Sequence, residues 1–341
     1  MSNYAESTIL VTGATGLLGS NLVHALMKKG SMRVIAMGRS YAKLVDCFQQ
    51  YEGKNNFLMV AHDISRPLAI PEVINYIFHA AGPIGGNTIQ NQPLHVIAPN
   101  LLGLYNCLNF LKQQRDRVGL LGRMVVFSSA TVYGSLNKGH WCVTEEETQS
   151  ADVLHSKICA YSETKRMAEV LALSYAHQYD LDVVIGRFSY VYGYSFFEPK
   201  TALYGIVDQA IDGKDITILN PDQKKLDYIF VEDAVEGISV VGEKGTSGQI
   251  YNISSNGDLE NYLSFDQMAQ CILNVTNGLN LYSRLAKLRL PSQGVLRNNG
   301  LRLKNDRLKE LNWSVTTAPE EGVLKIIRYK LCKLGRENEE I

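Results

Sequence analysis

The stretch Ile9-Leu-Val-Thr-Gly-Ala-Thr-Gly-Leu-Leu-Gly-Ser-Asn21 decides the fold. Ile9 to Val11 is an apolar run of strand type, and Leu17, Leu18, Leu22, Val23 and Leu26 then recur at helical spacing. Between them stand Gly13, Gly16 and Gly19. In a strand–turn–helix unit the first glycine permits the tight turn and the second lets the backbone approach a pyrophosphate. The third lets helix and strand pack closely. The helix start then offers free N–H groups and a positive dipole end to phosphate oxygens. The spacing is G-x-x-G-x-x-G, and glycine turns also occur without a ligand. The preceding strand and the following amphipathic helix favour nucleotide binding.

Outward from this unit the chain alternates. Residues 33–37, 57–61, 76–82 (running out into small residues), 123–129 and 181–187 predict further strands, and residues 41–51, 101–111 and 161–179 predict helices between them. Alternation of this kind builds right-handed βαβ crossovers and a parallel sheet covered on both faces. The expected fold class is therefore α/β, a doubly wound Rossmann-like parallel sheet with a smaller C-terminal α/β lobe. Past residue 190 the pattern loosens: helices are expected over 203–211, 232–241, 265–275 and 319–330, and short strands over 216–219, 228–231 and 251–254. No Pro/Gly/Ser-rich linker divides the halves. We expect a dinucleotide-binding domain over residues 1–190 and a mainly substrate-binding lobe over 191–341, partly interleaved with the first.

Composition narrows the class. The 341 residues carry 34 Lys plus Arg against 34 Asp plus Glu, a neutral balance that gives no support for a nucleic-acid or membrane-surface partner. No uninterrupted apolar window reaches the roughly 18 residues of a membrane span, and no signal-peptide pattern opens the chain. The six scattered cysteines form no C-x-x-C pair, which suits reduced thiols in a cytoplasmic protein and suggests no metal site.

Cofactor choice turns on the end of the second strand. An acid there would bond the ribose 2′-hydroxyl of NAD, whereas an arginine accommodates the 2′-phosphate of NADP. The chain presents Gly38-Arg39-Ser40 and no acid. Arg39 can equally be a solvated arginine or stack on adenine, so NAD(P) is expected with NADP slightly favoured. Asp63 and Ile64, past the third strand, are placed to touch the adenine.

Three further features converge on hydride transfer. Tyr161-Ser-Glu-Thr-Lys165 puts a phenol and an ammonium four residues apart on one helix face, and the ammonium favours phenolate. Y-x-x-x-K alone also arises by chance. Ser128-Ser129-Ala-Thr-Val-Tyr-Gly134 ends a strand, at the sheet edge where ligands bind, and offers a hydroxyl to share the substrate's proton. His79-Ala-Ala-Gly82 ends another strand in small residues that let a cofactor pass.

With these motifs in hand, the chain resembles the extended short-chain dehydrogenase/reductases of the nucleotide-sugar epimerase/dehydratase group. The likeness runs from Thr8 to about Tyr329. Its markers are TGATGLLGS (12–20), HAAG (79–82), Asn100 in PNLLG, SSATVYG (128–134), YSETK (161–165), RFSYVYG (187–193), DYIFVEDA (227–234) and LKELNW (308–313). The resemblance implies Tyr161 as acid/base, Lys165 as its support, Ser129 as the assisting hydroxyl, and hydride transfer at C4 of a nucleoside-diphosphate sugar. It implies a cofactor held by Gly13, Thr15, Gly16, Leu17, Leu18, Gly19, Arg39, Ser40, Asp63, Ile64, Ala80, Ala81, Gly82, Asn100, Ser128, Tyr161 and Lys165. The substrate would meet Pro83, Ser129, Ala130, Thr131, Tyr190, Lys225, Arg297 and Arg302.

Departures from the group's pattern choose between its reactions. Its dehydratases carry Asp-Glu after the catalytic hydroxyl, and its decarboxylases carry Glu in the second of those positions. Ala130 and Thr131 stand there instead, as in the 4-epimerases, and neither performs acid/base work near neutral pH. Tyr190 replaces a usual Asn, Tyr194 a usual Pro, and Leu226 a diphosphate-gripping Arg. Lys224, Lys225, Arg297 and Arg302 remain to meet the diphosphate. The expected activity is a 4-epimerase, with an NADPH-dependent 4-ketoreductase as alternative, then a decarboxylase or dehydratase, and last a silent NAD(P)-binding protein. The group tends to dimerise through the helices carrying Asn100 and Lys165. Apolar faces around Leu101, Leu104, Leu108 and Leu111, and around Met167, Val170 and Leu171, are the expected contact of a homodimer.

Overall fold

The computed structural model describes residues 4–82, 89, 91–134, 142–147, 159–218, 225–279, 288–289 and 300–335. The first unit reads as its sequence requires: β1 (Thr8–Thr12), the glycine turn, then α1 (Leu17–Lys29). It is followed by β2 (Arg33–Gly38), α2 (Tyr41–Phe48), β3 (Phe57–Ala61) and β4 (Tyr76–His79). Next come α3 (Pro93–Ala98) and, across a π-turn at Pro99–Gly103, α4 (Leu104–Val118). The π-turn takes up Pro99, which has no N–H to give the helix. Among the described residues the run Pro93–Val118 is the one helix long and apolar enough, by length and composition, to cross a membrane. Here Leu104, Cys107, Leu108 and Leu111 are spent on packing inside the fold.

β5 (Arg123–Ser129), the two-residue β6 (Cys142–Val143), α5 (Cys159–Tyr179) and β7 (Asp182–Phe188) follow. The remaining chain gives β8 (Tyr190–Tyr192), α6 (Ala202–Ile211), β9 (Ile216–Thr217), β10 (Lys225–Phe230) and α7 (Val231–Lys244). It ends with β11 (Ile250–Ile253), β12 (Tyr262–Ser264), α8 (Phe265–Gly278), β13 (Leu288–Arg289), β14 (Arg302–Leu303), α9 (Asp306–Glu310) and α10 (Pro319–Lys333).

Seven strands make one parallel sheet in the order β11-β7-β5-β4-β1-β2-β3. Both faces are covered, which explains the unbroken apolar runs. Along β1, Ile9 and Val11 enter one core cluster and Leu10 the other; along β5, Val125 and Phe127 divide from Met124 and Val126 in the same way.

The second half of the chain returns to this sheet. β11, expected only as a loose strand at 251–254, pairs with β7 and closes one edge. Beside it, Arg123 on β5 pairs with Asp182 on β7 at 2.7 Å and donates to the Gly242 and Gly245 carbonyls at the end of α7. The smaller lobe is built on β12-β10-β8, with α6, α8 and α10 packed together behind it. β10 begins three residues before the expected strand, because Lys225 and Asp227 interrupt its apolar pattern. Asp227 is buried and spends its carboxylate on Ser255 and the Leu303 N–H.

The described cysteines are all free thiols. The dimer surface needs correction: Leu104, Leu108 and Leu111 are fully buried against the sheet, since they lie on the inward stripe of α4. Tyr105 and Val118 on α4, Met167 and Val170 on α5, and Leu102 in the π-turn are exposed.

Replacing Arg123 with Met should strand the Asp182 carboxylate and two helix-end carbonyls together. We expect a loss of about 2 kcal/mol in urea unfolding, read as a lower midpoint at unchanged slope.

Candidate active site

The sheet order reverses between β1 and β4, and at such a switch point a crevice opens at the carboxyl ends of the strands. Gly13 turns the chain there at φ +65, and a Cβ on it would stand 2.7 Å from the backbone of Ala81. The close approach of the Ala80–Ala81 backbone thus fixes glycine at this position. Gly16 differs: its φ of −82 suits any residue, and an added Cβ would meet only the Gly13 carbonyl, at 3.4 Å. It faces open space that belongs to a cavity of about 600 Å³.

That cavity runs from the helix start to the smaller lobe. Gly16, Leu17, Leu18, Gly19, Ala80 and Gly82 line one end, and Phe127, Ser128, Ser129, Tyr161 and Lys165 the middle. Phe188 to Tyr192 and Pro199 to Tyr204 line the far end. The first turn of α1 carries no acidic residue, so its N–H groups are left for an anion. Open glycine, bare helix start and a roomy cavity fit a dinucleotide pyrophosphate.

At the centre, α5 lays Tyr161 and Lys165 against the end of β5. The Lys165 ammonium is buried and donates to the Phe127 carbonyl at 2.8 Å. Burial pulls its pKa down to about 8, against the nearby Glu169 carboxylate, which raises it. Burial pushes the Tyr161 phenol above its ordinary value, opposed by a hydrogen bond with Ser129. Ser129 Oγ in turn accepts from the Thr131 N–H at 3.2 Å and the Thr131 hydroxyl at 3.1 Å. These bonds leave the Ser129 hydroxyl proton to be donated elsewhere.

Asn100, in the π-turn, is buried; its amide reaches Thr164 Oγ1 at 3.5 Å and its Oδ1 has no partner among the described residues. That oxygen lies 2.7 Å from where a Cβ on Gly82 would stand. His79 is no base. It is buried, meets Thr12 Oγ1 at 2.9 Å, and is driven down to about 3 by burial and by the Lys165 charge.

The other expected residues are more scattered. Thr15 and Ala81 stand beside the glycine turn, off the cavity lining. Ser40 caps α2 by accepting from the Lys43 N–H, and Arg39 is exposed at the end of β2. Asp63 accepts from the Ser65 N–H, while Ile64 is buried against Gly103. Ala130 and Thr131 occupy the turn after Ser129, off the described lining. Tyr190 is on the lining. Lys225 and Arg302 are not; both stand by Tyr262, the Lys225 ammonium 5.5 Å from its ring centre. Pro83, Lys224 and Arg297 lie outside the described residues. Sequence reasoning missed Lys200, the cation at the far end of the cavity, together with Thr201 and Tyr204. The aromatic-rich run before Pro199-Lys200 was the available signal.

The profile of the NAD dependent epimerase/dehydratase family matches residues 9–254, the span from β1 to just past β11. The chain belongs to that family. Family membership makes it an enzyme of the nicotinamide-dependent type. A curated relative, UDP-glucuronic acid decarboxylase 6 of Arabidopsis thaliana, is 28% identical over 251 residues, 73% of this chain and 70% of the relative. Among solved structures, UDP-glucose 4-epimerase of Thermotoga maritima with UDP-glucose matches with a TM-score of 0.75 at 20% identity, over 96% of this chain and 99% of that one. The dTDP-glucose 4,6-dehydratase of Bacillus anthracis in complex with NAD matches at 0.73 and 21%, over 96% and 97%. The family's fold thus spans nearly the whole chain.

Gly16→Val tests the cofactor end. Space around Gly16 leaves the apo fold intact, so the melting temperature should hold while calorimetry shows dinucleotide affinity falling about tenfold or more.

Proposed function

We propose that the protein is a nucleoside-diphosphate-sugar 4-epimerase that keeps its dinucleotide through the cycle. One observation carries the reading. The described cavity lining holds no carboxylate, imidazole or thiol, and of its phenols only Tyr161 has an ammonium one helical turn away. A 5,6-elimination needs a second acid/base group beside the hydroxyl; Ala130 and Thr131 supply none. Oxidation at C4 and return of the hydride to the other face need only the one proton carrier.

Gly16 to Gly19 would hold the pyrophosphate and Lys165 the nicotinamide ribose, and the bound nicotinamide supplies the hydride acceptor. Tyr161 Oη takes the C4 hydroxyl proton, with Ser129 Oγ donating to the same oxygen to steady it. The Lys165 ammonium stabilises the phenolate. The same groups return the proton once the ketone has turned over. Lys200 is placed to meet a phosphate of the substrate, and the aromatic wall of Phe188, Tyr190 and Tyr192 suits flat or apolar faces of the ligand. The relatives named above act on or bind UDP- and dTDP-sugars, which supports a substrate of that class.

A second reading is an NADPH-dependent 4-ketoreductase. Arg39, exposed where the adenine ribose would lie, favours it. Incubation with UDP-, dTDP-, GDP- and CDP-sugars and with their 4-keto-6-deoxy forms, with and without NADPH, separates the readings by mass spectrometry and proton NMR. An epimer of unchanged mass supports the first. Consumption of NADPH with a reduced product supports the second, and loss of carbon dioxide or water overturns both.

Tyr161→Phe should lower turnover about a hundredfold or more while dinucleotide binding survives. Activity should also fall as pH rises through about 8, where Lys165 loses its proton. Lys165→Arg, charged throughout, should lift that limb out of the range, and a wild-type limb in the variant would contradict the assignment. Leu102 in the π-turn, Tyr105 on α4, and Met167 and Val170 on α5 are exposed apolar residues on packed elements. We assign these residues to a homodimer contact, and Val170→Glu should yield a monomer by light scattering.

A further inference from the structure

Glu169 stands one helical turn beyond Lys165 on α5 and is buried at 5% exposure. Its carboxylate accepts from the Ser128 hydroxyl at 2.5 Å and takes the Arg187 guanidinium in a two-point grip, Nε at 2.9 Å and Nη2 at 2.7 Å. Ser128 and Arg187 are register partners on β5 and β7. A single side chain therefore ties the catalytic helix to the ends of two central strands.

The ties gather on one strand end. Tyr161 meets Ser129, Lys165 meets the Phe127 carbonyl, and Glu169 meets Ser128, so three residues at four-residue intervals engage three consecutive residues of β5. Arg187 extends the frame: it donates to the Glu145 carbonyl at 3.2 Å and lies 4.7 Å from the centre of the Tyr133 ring. Tyr133 donates to Asn252 on β11, whose N–H donates to the Glu145 carboxylate.

We propose that Glu169 is a positioning residue for proton transfer. It fixes the strand end that bears Ser129 against the helical turns that bear Tyr161 and Lys165, and sets a carboxylate one turn from the Lys165 ammonium. The proposal rests on the acid/base role given above to Tyr161 and Lys165. The charged and titratable groups facing this pair are Tyr161 and Glu169 on the helix and His79 on β4. Arg187 on β7, Glu145 and Tyr133 stand behind Glu169. His79 is neutral, and Arg187 is engaged by Glu169, so the carboxylate is the group that offsets the burial of the ammonium.

The test uses Glu169→Gln, which keeps the shape and an acceptor oxygen but not the charge. Protein labelled with carbon-13 at the lysine ε-carbons reports the titration of Lys165 directly, assigned through Lys165→Arg, with no substrate needed. We expect the Lys165 midpoint to fall by about one pH unit in Glu169→Gln. The alkaline limb of kcat should move with it, kcat at neutral pH should drop about tenfold, and dinucleotide affinity should stay within about twofold. A midpoint and limb that coincide with wild type would overturn the proposal. Ser128→Ala removes the tie to β5, leaves the Arg187 tie to β7, and should lower kcat at an unmoved Lys165 midpoint and with dinucleotide affinity within about twofold; unchanged kcat there would also overturn it. Should Glu169→Gln not fold, Ser128→Ala decides alone. Wild-type protein that turns over no nucleotide sugar would count against the proposed function, while the Lys165 titration still tests the influence of Glu169 independently of turnover.

Discussion

Two neighbouring strands, β1 and β4, send their chains to opposite sides of the sheet, and everything functional follows from the gap this opens. The gap is only useful because backbone replaces side chain along its edge. Gly13 lies so near the Ala80–Ala81 backbone that no Cβ fits between them. With both strand ends stripped to small residues, a dinucleotide has a floor of peptide groups and a helix start for its phosphates. The helix bearing Tyr161 and Lys165 closes the other side, and its depth of burial sets the electrostatics.

Burial works against both partners of the Tyr–Lys pair, raising the phenol and lowering the ammonium. Left alone, that environment would keep both neutral. The Ser129 hydrogen bond opposes the rise at Tyr161, and the Glu169 carboxylate on the next turn opposes the fall at Lys165, so neither group is left to burial alone. The remaining cavity is apolar and aromatic, with Lys200 as the described cation at the far end. The described lining carries no carboxylate, imidazole or thiol.

Much of the sheet was legible in the sequence because β1, β2, β4 and the middle of β5 are buried on both faces and are continuous apolar runs. Where a strand carries polar residues the pattern is weaker: Lys225 and Asp227 concealed half of β10, and β8 was hidden inside an aromatic stretch shared with the cavity wall. The place of β11 in the main sheet is a tertiary fact that no local pattern carries. At the site, the glycine turn, Ser129, Tyr161 and Lys165 announce themselves by spacing and position at strand ends. Lys200 and Glu169 do not, because a lone lysine in a loop and a helical glutamate look like solvated charges until burial and partners are known. The helix stripe of Leu104, Leu108 and Leu111 shows the converse. An apolar face is visible in sequence, but whether it meets the sheet or another subunit is not.

The central claim is that one phenol beside one dinucleotide moves hydride away from C4 and back to the same carbon, with no other carbon–hydrogen bond touched. A nucleotide sugar carrying deuterium at C4, incubated without added cofactor and followed by NMR, tests this most directly. The account predicts a C4 epimer that keeps its deuterium at C4 and gains no solvent hydrogen at C5 or C6. Deuterium appearing in released reduced dinucleotide, or solvent hydrogen entering at C5, would contradict it.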